Sequence, residues 1–187
     1  MTMTTLDPQT ALLVVDLQKG IVTIPVAHPM HEVVENAAAL ADAFRRHRLP
    51  VVLVNATGGA PGRTEVPRPG GPLPADWAEL VAELHQQPED HLVSKQTWGA
   101  FTGTGLAEHL KGRGVTQVVI VGVATSAGVE STARQAHENG FNVTLAVDAM
   151  TDRSLDAHVN STTRIFPRLG ETGTTREIVD LLDSRRS

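Results

Sequence analysis

Two side chains in this sequence stand where an acid and a cation could act together. Asp16 closes the apolar run Ala11 to Val15, and Lys95 closes the run His91 to Ser94. At the end of a buried strand, burial raises a carboxyl's acid range and a nearby cation lowers it. An Asp there could act as a general acid or base, or could cap a turn as loop Asp residues commonly do. Lys95 could pair with Asp16 or hold an anion, or could be solvated as most single Lys residues are. Asn55, Asp148 and the segment Ala124 to Gly128 follow other apolar runs in the same way.

Other chemistries find less support. Ser126 and Ser131 lack the G-x-S-x-G elbow of a serine nucleophile, and Ser126, with Glu130 downstream, reads as a helix cap. Acyl transfer through Thr125 or Ser126 stays open only as a weaker reading. The chain has 8 His, but His28 and His31 precede a helix, and no paired His or Asp-x-His spacing marks a strand end, so no metal site is expected. Gly58-Gly59 and Gly70-Gly71 lie in a Pro-rich stretch, and Gly122 leads into Val-Ala-Thr-Ser, so neither a dinucleotide turn nor a phosphate loop is present and no cofactor is expected. With 0 Cys there are no disulfides, no zinc-thiolate sites and no thiolate nucleophile.

The elements that must position these residues alternate. Ala11 to Val15 reads as a strand, and Val33, Ala37, Leu40, Ala41 and Phe44 recur at helical spacing across His31 to Arg48. Pro50 and the β-branched run Val51 to Val54 complete a β-α-β unit. Ala56 to Pro74, rich in Gly and Pro, is a long loop, and long loops in compact domains are usually functional. A helix is expected around Trp77 to Leu84, then a strand at His91 to Ser94, a helix at Leu106 to Gly112 and a strand at Val118 to Val123. Val129, Thr132, Ala133 and Ala136 share one helical face that Asn139-Gly140 ends. Val143 to Val147 is a strand ending at Asp148. A helix through Leu155, Val159 and Thr162, a brief strand near Leu169 and a helix carrying Ile178, Val179 and Leu182 follow. This alternation predicts an α/β fold, three layers (α/β/α) around a mostly parallel sheet, with ligands beyond the carboxyl ends of the strands.

A chain of 187 residues, 41% hydrophobic and 20% charged, is expected to form one domain, residues 1–187. Sixteen Lys and Arg against 21 Asp and Glu leave a net charge of -5, which argues against a nucleic-acid partner. No apolar run is long enough for a bilayer, and Met1 to Pro8 lacks the features of a signal peptide, so a soluble cytoplasmic protein is expected. Aromatic residues are 3% of the chain, with no Tyr, so each of the 2 Trp residues draws notice. Trp98, between Lys95 and Phe101, could wall a pocket or pack in the core. Arg63 and Arg68, in the Pro/Gly loop, could clamp carboxylates or stay solvated.

Three segments, taken together, resemble the isochorismatase-like superfamily, also called the cysteine hydrolases. Residues 11–18, Ala-Leu-Leu-Val-Val-Asp-Leu-Gln, are similar to the family's opening strand with its catalytic Asp and following Gln. Lys95-Gln-Thr-Trp-Gly-Ala-Phe-Thr-Gly-Thr-Gly-Leu106 is similar to its Lys, Ala-Phe and Thr-x-Leu pattern. Residues 122–136, Gly-Val-Ala-Thr-Ser-Ala-Gly-Val-Glu-Ser-Thr-Ala-Arg-Gln-Ala, match the segment that normally carries the nucleophilic Cys. The resemblance covers nearly the whole chain. It implies the three-layer fold, a homo-oligomer, a non-proline cis peptide at Val123-Ala124, and a site of Asp16, Lys95 and Gly128, which takes the place of the Cys. Gln18, Asn55, Trp98, Ala124 and Thr125 are the candidate substrate contacts, and the partner is a small molecule.

Glycine at that place sets the chemistry expected. Thiol-dependent amidase activity looks excluded, and the metal site that the family's nicotinamidases carry after the second strand has no counterpart in Asn55-Ala-Thr-Gly-Gly59. Isochorismatases also carry Gly there, because a vinyl ether needs no covalent intermediate. The implied mechanism has protonated Asp16 as general acid on the enol carbon, water attacking the oxocarbenium ion, and Lys95 orienting the anion. Lys95 beside Asp16 favours the carboxylate, so burial must dominate for the acid to hold its proton. The third segment resembles most a branch of the superfamily that keeps Asp and Lys, carries Gly for Cys, and is generally described only as hydrolases. A catalytically silent binding protein is the alternative.

Overall fold

The computed structural model describes residues 3–66 and 71–185. Two runs in which every residue is buried, Thr10–Val15 (β1) and Gln117–Val123 (β4), lie side by side at the centre of one sheet. Burial on both faces explains why neither alternates apolar with polar residues. Four further strands complete the sheet: β2 (Val51–Ala56), β3 (His91–Lys95), β5 (Asn142–Thr151) and β6 (Glu171–Gly173). Their order is β3-β2-β1-β4-β5-β6, and all pairs are parallel.

Alternate residues of β1 feed the two faces. Leu12 and Val14 pack with Val33, Ala37, Leu40 and Phe44 of α2 (Met30–Arg46) and with Ile178 and Leu182 of α6 (Thr175–Ser184). Ala11, Leu13 and Val15 pack with Leu106 and Leu110 of α3 (Leu106–Gly112) and with Ala133 and Ala136 of α4 (Glu130–Glu138). The protein is therefore an α/β fold, helices covering both faces of a six-stranded parallel sheet. A short helix, α1 (Lys19–Val22), follows β1, and α5 (Leu155–Asn160) follows β5. Among the described residues no helix is long and apolar enough to cross a membrane.

Two expectations need correction. Trp77 to Leu84 does not form a helix: only Ala82–Leu84 makes a single 3-10 turn. The backbone of this stretch is occupied elsewhere, because Gly20 N–H donates to Trp77 O, Lys19 N–H to Glu79 O, and Val81 N–H to Leu17 O. Groups bonded to the segment after β1 cannot also make helical bonds along their own chain. The second correction concerns β5, which runs on past Val147 to Thr151. Its register against β4 shifts between the Ile120–Leu145 and Gly122–Met150 pairs, so the residues between bulge out. Asp148 sits in that bulge, where its carboxylate accepts from Thr175 N (2.7 Å) and Thr175 Oγ1 (3.0 Å) and so anchors α6. The true end of the strand delivers Asp152.

Candidate functional site

The winding of the sheet reverses between β1 and β4: the chain runs outward from β1 through β2 to β3, then returns to place β4 on the other flank of β1. Parallel sheets bind ligands in the crevice beyond such a reversal. Gly122 lets the two strands close there, since a Cβ at its φ of +117° would stand 2.0 Å from Val15 O. Asp16 ends β1 on one side of the crevice. The Val123–Ala124 peptide is cis, and a π-helical turn, Thr125–Val129, leads from it into α4.

Asp16 has a φ of 55°, an uncommon backbone state for a residue other than Gly, and strain of this kind gathers at functional sites. Its N–H donates to Val54 O at 2.9 Å, which fixes the turn against the neighbouring strand. Lys95 reaches across the end of β2 to place Nζ 2.7 Å from Asp16 Oδ2, and also donates to Thr97 O at 3.1 Å. Both are buried, Asp16 at 6% exposure and Lys95 at 3%. Asp16 Oδ1 is buried and has no hydrogen-bond partner among the described residues. Burial pushes the Asp16 carboxyl up to about 6, against the downward pull of Lys95. The conflict between burial and cation resolves toward burial.

Gly128 lies directly against this pair. A Cβ built on it would meet Asp16 Oδ2 at 3.1 Å, Val123 O at 3.1 Å and Val15 Cγ1 at 3.2 Å. Its carbonyl accepts from Thr132 Oγ1 at 2.7 Å, tying the turn to α4. Asp16, Lys95 and Gly128, far apart in the chain, are thus brought together.

The remaining candidates divide differently. Gln18 is fully buried with both ends of its amide engaged, Oε1 accepting from Ala56 N (2.7 Å) and Nε2 donating to Ala56 O (3.1 Å) and Trp77 O (3.0 Å). Asn55 is likewise engaged, donating to Ala78 O (2.8 Å) and accepting from Ser94 Oγ (2.7 Å). Trp98 is 67% exposed and so is no part of the core. Ala124 is partly buried at the cis bond, and its carbonyl accepts from Ala127 N and Val129 N. Thr125 is fully buried, 2.9 Å from Nδ1 of His158. Arg63 is in an exposed loop, and Arg68 lies outside the described residues.

Ser126 is not a cap. Its N–H and hydroxyl both donate to Asp152 Oδ2, at 2.7 and 2.8 Å. Sequence reasoning missed Asp152 and His158, and it placed His28 only ahead of a helix, although its ring packs on His158. The one available signal for Asp152 was Ser154 two residues on, which caps α5 by accepting from Ala157 N.

An isochorismatase domain pattern matches residues 10–177. The chain is 42% identical over 179 residues to the isochorismatase family protein YwoC of Bacillus subtilis, spanning 92% of this chain and 93% of that one. It is 31% identical over 162 residues to Nicotinamidase 3 of Arabidopsis thaliana, spanning 79% and 76% of the two chains. A solved isochorismatase family protein from Burkholderia thailandensis superposes with a TM-score of 0.91 at 41% identity, covering 96% of this chain and 98% of its own. The protein therefore belongs to the isochorismatase family, and it does so without a cysteine.

Proposed function

We propose that the protein is a hydrolase without a thiol nucleophile, acting on a small anionic or enol-ether metabolite, with Asp16 as general acid and base and Lys95 as the orienting cation. The observation that carries this is the asymmetry of one carboxyl group. Asp16 Oδ2 is held by Lys95, while Oδ1 is buried and unpartnered, an arrangement that is costly in a structural residue and useful in a reacting one. With a midpoint of about 6, roughly a tenth of the molecules carry the proton at pH 7, enough for a general acid near neutrality.

In this reading Gly128 occupies the place of the nucleophile, and the thiol chemistry implied by resemblance to the cysteine hydrolases is replaced by direct attack of water. Asp16 Oδ1–H protonates the enol carbon, water adds to the oxocarbenium ion and gives up its proton to the Asp16 carboxylate, and the hemiketal collapses to pyruvate and an alcohol. The Lys95 ammonium has three donors. Asp16 and Thr97 O take two, and the third is directed to the substrate's carboxylate.

The test is pyruvate release from isochorismate, run beside Asp16→Asn. Turnover lost in the variant supports the mechanism, and turnover unchanged in it sinks the role of Asp16. A second reading, a silent binding member of the fold, is favoured by the near-complete closure of the pair from solvent. Thermal stabilisation by small carboxylates with no turnover of any of them supports that reading instead.

A further inference from the structure

The 125–129 turn is held on its other flank by a pair of imidazoles. His158, on α5 and 8% exposed, bonds through Nδ1 to the fully buried Thr125 hydroxyl at 2.9 Å. The ring of His28, from the segment ahead of α2, lies 4.5 Å from that of His158 and is tilted by 59°. His28 is fixed there by Thr151 Oγ1, which is 2.9 Å from its Nδ1 and accepts from its backbone N–H at 3.2 Å. The preceding Ala27 N–H donates to Asp152 O at 2.8 Å. Two imidazoles therefore join four parts of the chain: the 23–29 segment, the end of β5, α5 and the turn that carries Gly128.

Few other charges face them. The end of β5 supplies Asp152, whose oxygens accept from Ser126 N and Oγ and from Ser154 N. From α4 comes Glu130, which accepts from Ser161 Oγ at 2.6 Å and pairs with Arg134 at 2.8 Å. Arg153 and Asp156, beside and on α5, are exposed, and the 125–129 turn itself carries no charge.

We propose that the His28–His158 pair is an acid-sensitive latch on this site: with both rings neutral α5 is closed on the 125–129 turn, and protonation opens it. The Thr125 hydroxyl can donate to or accept from Nδ1, so that contact survives a proton, whereas a proton on each ring sets like charges at the ring spacing. Burial, and next His28, hold His158 below the ordinary imidazole value of 6.5, with Asp152 opposing. A hydrated His158 in the opened form takes up its proton more readily than in the closed form. The contribution of His158 to the closed form is therefore full well above 6.5 and is lost as pH falls from 6.5 toward its lowered midpoint in the closed form. Only the consequence for activity rests on the proposed function.

The test is hydrogen–deuterium exchange, corrected for intrinsic amide rates, at about pH 7.5 and about pH 5.5. Exchange in 125–129 and 155–165 is expected to rise in acid, by up to about tenfold for one imidazole, while β4 stays protected. In His158→Asn, whose amide still bonds Thr125 but takes up no proton, the rise is abolished, and in His28→Asn it is reduced. No rise in the unaltered protein, or an equal rise in His158→Asn, overturns the latch. Should His158→Asn fail to fold, ring titration of the unaltered protein decides: a His158 midpoint at or above 6.5 overturns it. None of these readouts uses turnover, so failure of the vinyl-ether reading at neutral pH is seen separately.

Discussion

Asp16 and Asp152 are two carboxylates at the carboxyl ends of strands in one sheet, equally buried at 6% and 5% exposure, and their surroundings are opposite. Asp152 has both oxygens engaged by uncharged donors, Ser126 N and Oγ on Oδ2 and Ser154 N on Oδ1. Asp16 has one ammonium on Oδ2 and, among the described residues, no partner on Oδ1. Fixed N–H dipoles turn a buried carboxylate into a strut that joins the 125–129 turn to the start of α5. A single cation, with one oxygen left over, leaves a carboxyl poised to exchange a proton. Burial is common to both, and the set of partners separates a structural acid from the one proposed to react.

The largest test of that contrast is Lys95→Met. Removing one partner of a buried pair costs about 3–5 kcal/mol when the other stays charged. Asp16 escapes part of that penalty by taking a proton, so denaturant unfolding is expected to show a larger loss at about pH 8 than at about pH 5. Asp152→Ala removes a strut and strands the Ser126 N–H, with an expected loss of about 2–3 kcal/mol by the same measurement. The Asp16 carboxyl itself, followed by 13C NMR, is expected to titrate near 6. Its folded value lies above the ordinary 3.8, so the folded state binds the proton more tightly. The stability this adds is full below 3.8 and is lost as pH rises through 6, and Asp16→Asn removes that slope. Joining Asp16→Asn to Lys95→Met replaces the pair by neutral groups, and stability is expected to return to within about 1 kcal/mol of the unaltered protein. A double variant as unstable as Lys95→Met alone would make Asp16 a strut like Asp152 and end the distinction. Smallest is Gly128→Ala, where helix propensity gains under about 1 kcal/mol and crowding against Asp16 Oδ2 opposes it. Unfolding is expected to move little while the Asp16 midpoint shifts.

Much of this was legible in the sequence because burial on both faces leaves a plain signature. The unbroken runs of β1 and β4 and the helical spacing of Val33, Ala37, Leu40 and Phe44 specify strands and helix without outside help. Asp16 stood out because it ends an apolar run, and Lys95 because it ends a short strand. What stayed hidden depends on contacts between distant segments. Trp77 to Leu84 has the composition of a helix, yet its carbonyls and amides are claimed by Leu17 to Gly20. Asp148 interrupts an apolar run just as a strand-end residue does, and only the bulge against β4 shows that the strand continues to Thr151. His158 is polar in a helix that also exposes Leu155 and Val159, so no periodicity marks it as buried. The positive φ of Asp16 has no sequence signal in a residue other than Gly.

Gln18 carries a consequence for how this protein can change. One amide grips the chain where it leaves the sheet, at Ala56, and where it comes back, at Trp77. The excursion between them starts and finishes on the same side chain, so its length is decoupled from the position of its feet. Doubling such a loop adds only about 0.6 kcal/mol of closure entropy. A change in the length of this stretch is therefore expected to leave the sheet edge, Asp16 and Lys95 in place.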